Sequence, residues 1–432
     1  MSVFSLSNLK KTWYYLQKNG IRNAVWAVLE RIGQEQEVYT WQEPDEKTLS
    51  FQREHSASLR ISIVVPAYRT KKEHLEAMLN SVSRQSYPHW ELIVADAGGT
   101  AESVQAWAKK NGICLRKAAD ASNLAEWKDQ SIMLCTLSEN KGISANTNAG
   151  IELAAGDAVG LLDHDDLLTA NALWEMADCL EKEKKRGKQK LVLFSDEDKC
   201  DGAASRFYEP NFKPDFDGEL LLTNNYICHF TVIETAFLKE LKLRSGFDGA
   251  QDYDLVLRAY AAGGQFVHVP KVLYHWRCHE ASTASNPQSK RYAYEAGQRA
   301  LEDYCLRKGW KATVSGLKHL GFYREDYEDS VFCQRPEIGI WAKPLPGGRD
   351  VFGIRHPKGF LVSGLYENDG SMRYAGLRKG YSGPMHRAAL QQSAPAADLR
   401  SMEVCSALKE RYAQTIAELK EACQGLPTAA QE

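Results

Sequence analysis

Apolar residues along this chain fall into short dense runs separated by longer segments with helical spacing. "ISIVVPAY", from residue 61, is a β-branched run ended by proline, the pattern of a strand buried on both faces. "KKEHLEAMLNSVSRQSY" follows, with Leu75, Met78, Leu79 and Val82 at helical spacing. "WELIVADAGGT" predicts a second strand that runs into a glycine turn. "GISANTNAGIELAAG" then reads as a helix, "AVGLLDHDD" as a strand and "LVLFSDED" as a further strand. Strands alternating with helices predict an α/β domain built on a mainly parallel sheet.

The flanks read differently. Residues 7–33 predict two helical pieces broken near Gly20, with Lys10, Lys11, Lys18, Arg22 and Arg31 interleaved among Trp13, Tyr14, Tyr15 and Trp26. Such a segment either packs on the main domain through its aromatics or lies on an anionic membrane surface. Residues 34–58 are polar and read as a linker. Past residue 246 come the acidic "FDGAQDYDL", the apolar "HVPKVLYHWRCH" and a helix, "SKRYAYEAGQRALEDYCLRKG". Beyond residue 330 glycine and proline accumulate before a last predicted helix, "DLRSMEVCSALKERYAQTIAELKEAC". The expected organisation is a helical segment and linker (1–58), an α/β domain (59–315) and a small C-terminal α+β extension (316–432).

Composition narrows the function classes. Of 432 residues, 44% are hydrophobic and 25% charged, the balance of an ordinary globular chain. A formal net charge of -2 gives no overall pull toward nucleic acid. The 10 cysteines form no CxxC pair, so they read as free thiols of a reducing compartment. No apolar run approaches the roughly 20 residues that cross a bilayer, and the first residues lack a signal-peptide pattern. The expected location is the cytoplasm, with contact at the inner face of the membrane left open by residues 7–33.

Candidate chemistry lies at the strand ends, where open α/β sheets bind ligands. Asp96 follows "ELIVA", Asp163-His164-Asp165-Asp166 follows "AVGLL", and Asp196-Glu197-Asp198 follows "LVLFS". Crowded carboxylates raise one another's pKa, and a divalent cation relieves that repulsion. D-x-D spacing puts Asp163 and Asp165 on one side of an extended chain.

"SIVVPAYR", "LIVADAGG", "NKGISANTNAGI", "LLDHDDLL", "GAQDYDL" and "LYHWR" occur in that order. The ordered set resembles the family 2 glycosyltransferases, whose nucleotide-sugar-binding domain has the fold called GT-A. It looks most like bacterial O-antigen, capsule and rhamnan-type polysaccharide enzymes. The resemblance runs from about residue 60 to 312 and implies a Rossmann-like, mainly parallel sheet flanked by helices. By that resemblance Pro66, Ala67 and Tyr68 line the nucleotide pocket and Asp96 contacts the base. Ala97 stands where a second aspartate is common. Gly142 and Asn146 belong to the donor-contacting segment, where Thr147 replaces a frequent arginine. Asp163 contacts the ribose side, and Asp165 coordinates a divalent cation (Mn²⁺ or Mg²⁺). His275 reaches the metal or diphosphate, with His279 a second choice, and Arg277 pairs with phosphate. Asp252 is the base that deprotonates the acceptor. Asp196 or Asp198 lines the acceptor side.

The implied reaction is metal-dependent, inverting transfer of a sugar from a UDP- or dTDP-sugar to a glycan or lipid-linked glycan acceptor. Two other classes compete. A non-catalytic nucleotide-sugar-binding scaffold of a polysaccharide-synthesis complex would be free to lose Asp163, Asp165, Asp252 or His275. A nucleotidyltransferase would need a glycine- and lysine-rich loop after the first strand, which "VVPAYRTKKEH" is not. Residues 334–402 weakly resemble part of a second glycosyltransferase unit, fitted to close an acceptor groove or to form a homodimer surface.

Overall fold

A computed structural model describes residues 39–118, 127–278, 291–316 and 320–327, with the backbone of short strands between 340 and 386. The helices expected in 7–33 and near the C-terminus, and His279, lie outside the described residues.

Strand β1 (Ile61–Ala67) pairs in parallel with β2 (Trp90–Asp96). Its alternation decides two cores. Ile61, Ile63 and Val65 pack on one side with helix Lys72–Ser83, whereas Val64 packs on the other with Ile151 of helix Ile143–Leu153. Successive side chains of a strand point to opposite faces, so a run apolar at both parities needs cover on both. The helix Lys72–Ser83 supplies Leu75, Met78, Leu79 and Val82, all buried. Their burial contributes roughly 2 kcal/mol each. On the other face, Gly150 lets its helix approach closely, since a Cβ there would stand 2.7 Å from Val64.

Further strands are β3 (Cys114–Lys117), β4 (Ser131–Thr136), β5 (Ala158–Leu161), β6 (Leu167–Leu168) and β7 (Leu191–Cys200). β8 (Phe207–Asn211), β9 (Thr231–Glu234) and β10 (Gln265–Arg277) complete one ten-stranded sheet of order β3-β4-β2-β1-β5-β9-β7-β10-β6, with β8 on β7. The mainly parallel α/β architecture expected for this region is present. One departure matters. β9 runs antiparallel between β5 and β7 and pairs with both, so the two halves of the parallel sheet are not directly joined. Its segment, "TVIE", is too short to declare a direction in sequence.

A second departure lies before β1. The stretch read as linker carries helix Glu46–Glu54, capped by Asp45, whose side chain accepts from the Thr48 N–H at 2.7 Å. Gln52 is buried and accepts from Ser86 Oγ at 2.7 Å. A polar side chain can anchor a helix when its partners are internal, which is why hydrophobicity alone missed this one. After β10, helix Arg291–Arg307 packs on helix Gln251–Ala261, and β11 (Ala312–Gly316) pairs antiparallel with β12 (Tyr323–Tyr327).

Candidate functional site

A cavity of about 680 Å³ opens at the C-terminal ends of β1 and β5. Its walls include Pro66, Asp163, Glu197, Cys228, His229 and Asp252. The volume is in the range that holds small ligands.

β5 stops at Leu161, and the chain then turns rather than continuing extended; the Asp166 N–H donates to the Asp163 carbonyl at 3.3 Å. The i, i+2 argument for Asp163 and Asp165 therefore fails, because it holds only for a strand. Asp163 faces the cavity with its side chain 46% exposed. Asp165 is fixed through its backbone, its carbonyl accepting from Arg277 Nε at 2.5 Å. Asp166 is buried; its carboxylate accepts from Tyr274 OH at 2.5 Å and from the Arg277 N–H at 2.7 Å. Surrounding protein pushes the Asp163 carboxyl up, His229 offsets part of this, and Asp165 adds to it. Asp166 is pushed well up by burial first, then by Asp165 and Asp163. Ligating atoms of Asp163, Asp166 and His229 lie within 4.8 Å of one another. Crowded oxygens with excess negative charge, joined by one imidazole, fit a divalent cation.

Across from this turn stands a group that the sequence did not single out. His229 Nδ1 lies 3.1 Å from Glu197 Oε2, and its Nε2 lies 3.6 Å from Cys228 Sγ and 4.0 Å from Asp163. Glu197 also meets Lys213, a lysine with its side chain 1% exposed, at 3.3 Å. Although burial works against the charged form of Glu197, Lys213 and His229 hold it at about 2. Burial likewise opposes His229, yet Cys228 and Glu197 raise it well above its ordinary value. The Cys228 thiol is pushed up to about 11 by burial. His229 sits in "NNYICHFTVI" as a lone imidazole among apolar residues, a context shared with any packed histidine. Only the fold brings Glu197, 32 positions away, to its ring.

Asp252 opens helix Gln251–Ala261 and faces the same cavity. Its Oδ2 accepts from Asn225 Nδ2 at 2.7 Å, and Cys228 Sγ stands 3.7 Å away. Asp254, two residues on, is buried between Arg244 and Arg258, so it braces the helix.

The remaining expected residues divide. Pro66 lines the cavity, Ala67 is buried beside it, and Tyr68 is 39% exposed with Arg69 over its ring. Asp96 is turned inward: its carboxylate accepts from the backbone N–H groups of Gly98 (3.0 Å), Thr100 (3.2 Å) and Ala101 (2.9 Å). That fixes a glycine turn and starts a helix, so the structure gives Asp96 a capping job where a base contact was expected. Gly142 adopts φ 94 at the start of helix Ile143–Leu153, where a Cβ would meet the Asp248 carboxylate. Asn146 ties its own loop, donating to Asn140 Oδ1 at 2.8 Å. His275 does not line the cavity; it lies buried, Nδ1 2.5 Å from Asp198 Oδ1, with its ring against Trp41 and Phe207. Arg277 is 2% exposed and donates to the carbonyls of Asp165 and Gly202 (2.8 Å from Nη1). Both belong to the wall behind the acidic turn. Asp196 accepts from His268 Nε2 and the Lys213 N–H, each at 2.8 Å, and Asp198 from Tyr39 OH at 2.7 Å. Both are committed internally, although Asp198 also lines the cavity.

Comparison with known proteins adds the family. Over 255 residues the chain is 36% identical to the uncharacterized protein y4gI of Sinorhizobium fredii, covering 58% of this chain and 26% of that one. It is 34% identical to the O-antigen biosynthesis protein RfbC of Myxococcus xanthus, covering 59% of this chain and 19% of the relative. The alignments thus span about a quarter or less of those proteins' length. The amylovoran biosynthesis glycosyltransferase AmsB of Erwinia amylovora is 28% identical, over 50% of this chain and 70% of its own. Among solved structures, S. aureus TarS in complex with UDP-GlcNAc aligns with TM-score 0.43 at 19% identity, covering 57% of this chain and 67% of that one. The family model described as glycosyl transferase family 2 matches residues 62–241. That stretch runs from β1 through β9 and contains Asp163, Glu197 and His229, and it belongs to glycosyl transferase family 2.

Proposed function

We propose that the chain is a metal-dependent, inverting glycosyltransferase acting on a UDP- or dTDP-sugar and a hydroxyl of a bacterial cell-surface polysaccharide precursor. One observation carries the reading: Asp163 after β5 and Asp252 at a helix start face one cavity at the edge of a family 2 domain. Relatives named for O-antigen and amylovoran biosynthesis support the polysaccharide direction.

Tyr68, exposed beside the Gly98-Gly99 turn, offers a stacking face to a nucleobase. Asp163, Asp166 and His229, whose ligating atoms lie within 4.8 Å of one another, would hold Mn²⁺ or Mg²⁺. A cation bound there would supply positive charge to offset that of a diphosphate leaving group. Asp252, oriented by the Asn225 amide, takes the proton from the acceptor hydroxyl as its oxygen attacks the anomeric carbon. Attack opposite the diphosphate inverts that carbon. The glycan or lipid-linked glycan acceptor enters past Tyr292, a cavity-wall ring that is 54% exposed.

The test is Asp252→Asn in the full chain. Turnover of a UDP- or dTDP-sugar should fall while the nucleotide still raises the melting temperature. Undiminished turnover would overturn the assignment of the base.

A further inference from the structure

Residues two apart on a strand share a face. On β10 Tyr274 and Trp276 do so, and both rings meet the His229 imidazole. Tyr274 reaches further. Its hydroxyl donates to Asp166 Oδ2 at 2.5 Å and accepts from the Asp163 N–H at 3.4 Å. Its ring lies parallel to the His229 ring, with centroids 4.7 Å apart and an interplanar angle of 10°. One buried side chain therefore touches each of three residues, Asp163, Asp166 and His229, whose ligating atoms converge within 4.8 Å.

Each contact restrains a different freedom. The phenol oxygen links the Asp163 N–H to the Asp166 carboxylate, so the two ends of the acidic turn keep their spacing. The parallel ring limits the tilt of the imidazole, and Glu197 at Nδ1 limits its rotation. Tyr274 is itself fixed in the sheet, in register with Leu168 of β6 and Glu197 of β7. It does not line the cavity, so it acts through the ligands rather than on a substrate. Phenylalanine in its place would keep the stacking and leave Asp166 Oδ2 without this donor.

We propose that Tyr274 is a positioning residue of the cation site, setting Asp163, Asp166 and His229 at the spacing a divalent ion needs before the ion arrives. This rests on the cation assignment made under the proposed function. Groups that orient metal ligands from behind contribute about 10–100-fold in affinity. The "LYHWR" motif serves the site through Tyr274, one position before the His275 expected there.

Mn²⁺ binding to the full chain, followed by loss of the free-ion electron paramagnetic resonance signal, tests this without any need for turnover. Tyr274→Phe should weaken Mn²⁺ binding by about 10–100-fold, with the circular dichroism of the wild type. Tyr87→Phe is the control. It removes another buried phenol, one that donates to the Ala57 carbonyl at 2.9 Å, and should keep the Mn²⁺ affinity even where it lowers the melting temperature. 4-Aminophenylalanine in place of Tyr274 keeps a donor at the end of the ring and should recover most of the affinity. It carries the test if Tyr274→Phe does not fold. In the active enzyme, the turnover that Tyr274→Phe loses at limiting Mn²⁺ should return as Mn²⁺ is raised. Unchanged Mn²⁺ affinity in Tyr274→Phe, an equal loss in Tyr87→Phe, or a loss that the amino variant does not relieve would each overturn the proposal. A wild type that binds no Mn²⁺ would overturn the cation assignment itself, and this role with it. Binding that Tyr274→Phe weakens, without transfer of any sugar, would uphold this role and count against the glycosyltransferase reading alone.

Discussion

Two acidic stretches look alike in sequence and differ in the fold. "DHDD" at 163–166 and "SDED" at 195–198 each end an apolar run. In the second, the carboxylates are matched to donors inside the protein: Asp196 to His268 and the Lys213 N–H, Asp198 to His275 and Tyr39, Glu197 to Lys213 and His229. In the first, Asp163 opens to the cavity and its carboxyl is pushed up. A carboxylate whose partners are internal is structural; one left facing a cavity beside like charges is available to a ligand. Position after an apolar run does not distinguish them, whereas the supply of donors does; the structure also places 195–198 inside β7, not at the strand end expected from sequence.

The comparison can be broken first at Asp252. Loss of a general base costs about 10²–10⁴-fold in rate, so Asp252→Asn should lower kcat by that order with the melting temperature little changed. Next in size is the buried pair on the internal side. Glu197→Gln leaves Lys213 in the interior without its counter-charge, and breaking such a pair destabilises by about 3–5 kcal/mol; chemical denaturation checks this. The same group gives a pH signature. Glu197 sits at about 2 in the fold against 4.5 when free. The unfolded chain therefore binds the proton first, and stability present above pH 4.5 is lost as pH falls toward 2. Glu197→Gln should lack that part of the acid sensitivity.

Smaller effects sharpen the division. Asp96→Ala should cost about 1–3 kcal/mol by releasing backbone donors, and nucleotide affinity should follow only as far as the Gly98-Gly99 turn loosens. A large affinity loss at unchanged stability would restore the base-contact role expected from sequence. Tyr68→Ala should do the reverse, with stability within about 0.5 kcal/mol of wild type. Loss of a stacked base would weaken nucleotide binding by about 1–3 kcal/mol.

Much of the scaffold was legible because the apolar runs carry it. The run at 61–67 must be covered on both faces, and it is. The antiparallel insertion of β9 was not legible, since four residues with no alternation fix no direction. Helix Glu46–Glu54 hides in a polar stretch because its anchors are Gln52, whose partner Ser86 is far along the chain, and the capping Asp45. In the site, the ordered motifs point to Asp163 and Asp252, and both line one cavity. His275 and Arg277 were expected there and instead support the turn from behind. His229, Glu197, Cys228 and Lys213 converge only through long-range pairing of β7, β9 and the loop between them, information that no local pattern contains.

The most direct measurement is calorimetric titration of the full chain with UDP and with dTDP, with and without Mn²⁺, in the wild type and in Asp163→Asn. If the carboxylate facing the cavity serves the donor, one of the two nucleotides binds in the presence of metal, and both metal dependence and affinity are lost in the variant. Metal-dependent binding that persists in Asp163→Asn, or the absence of binding by either nucleotide, would contradict the account.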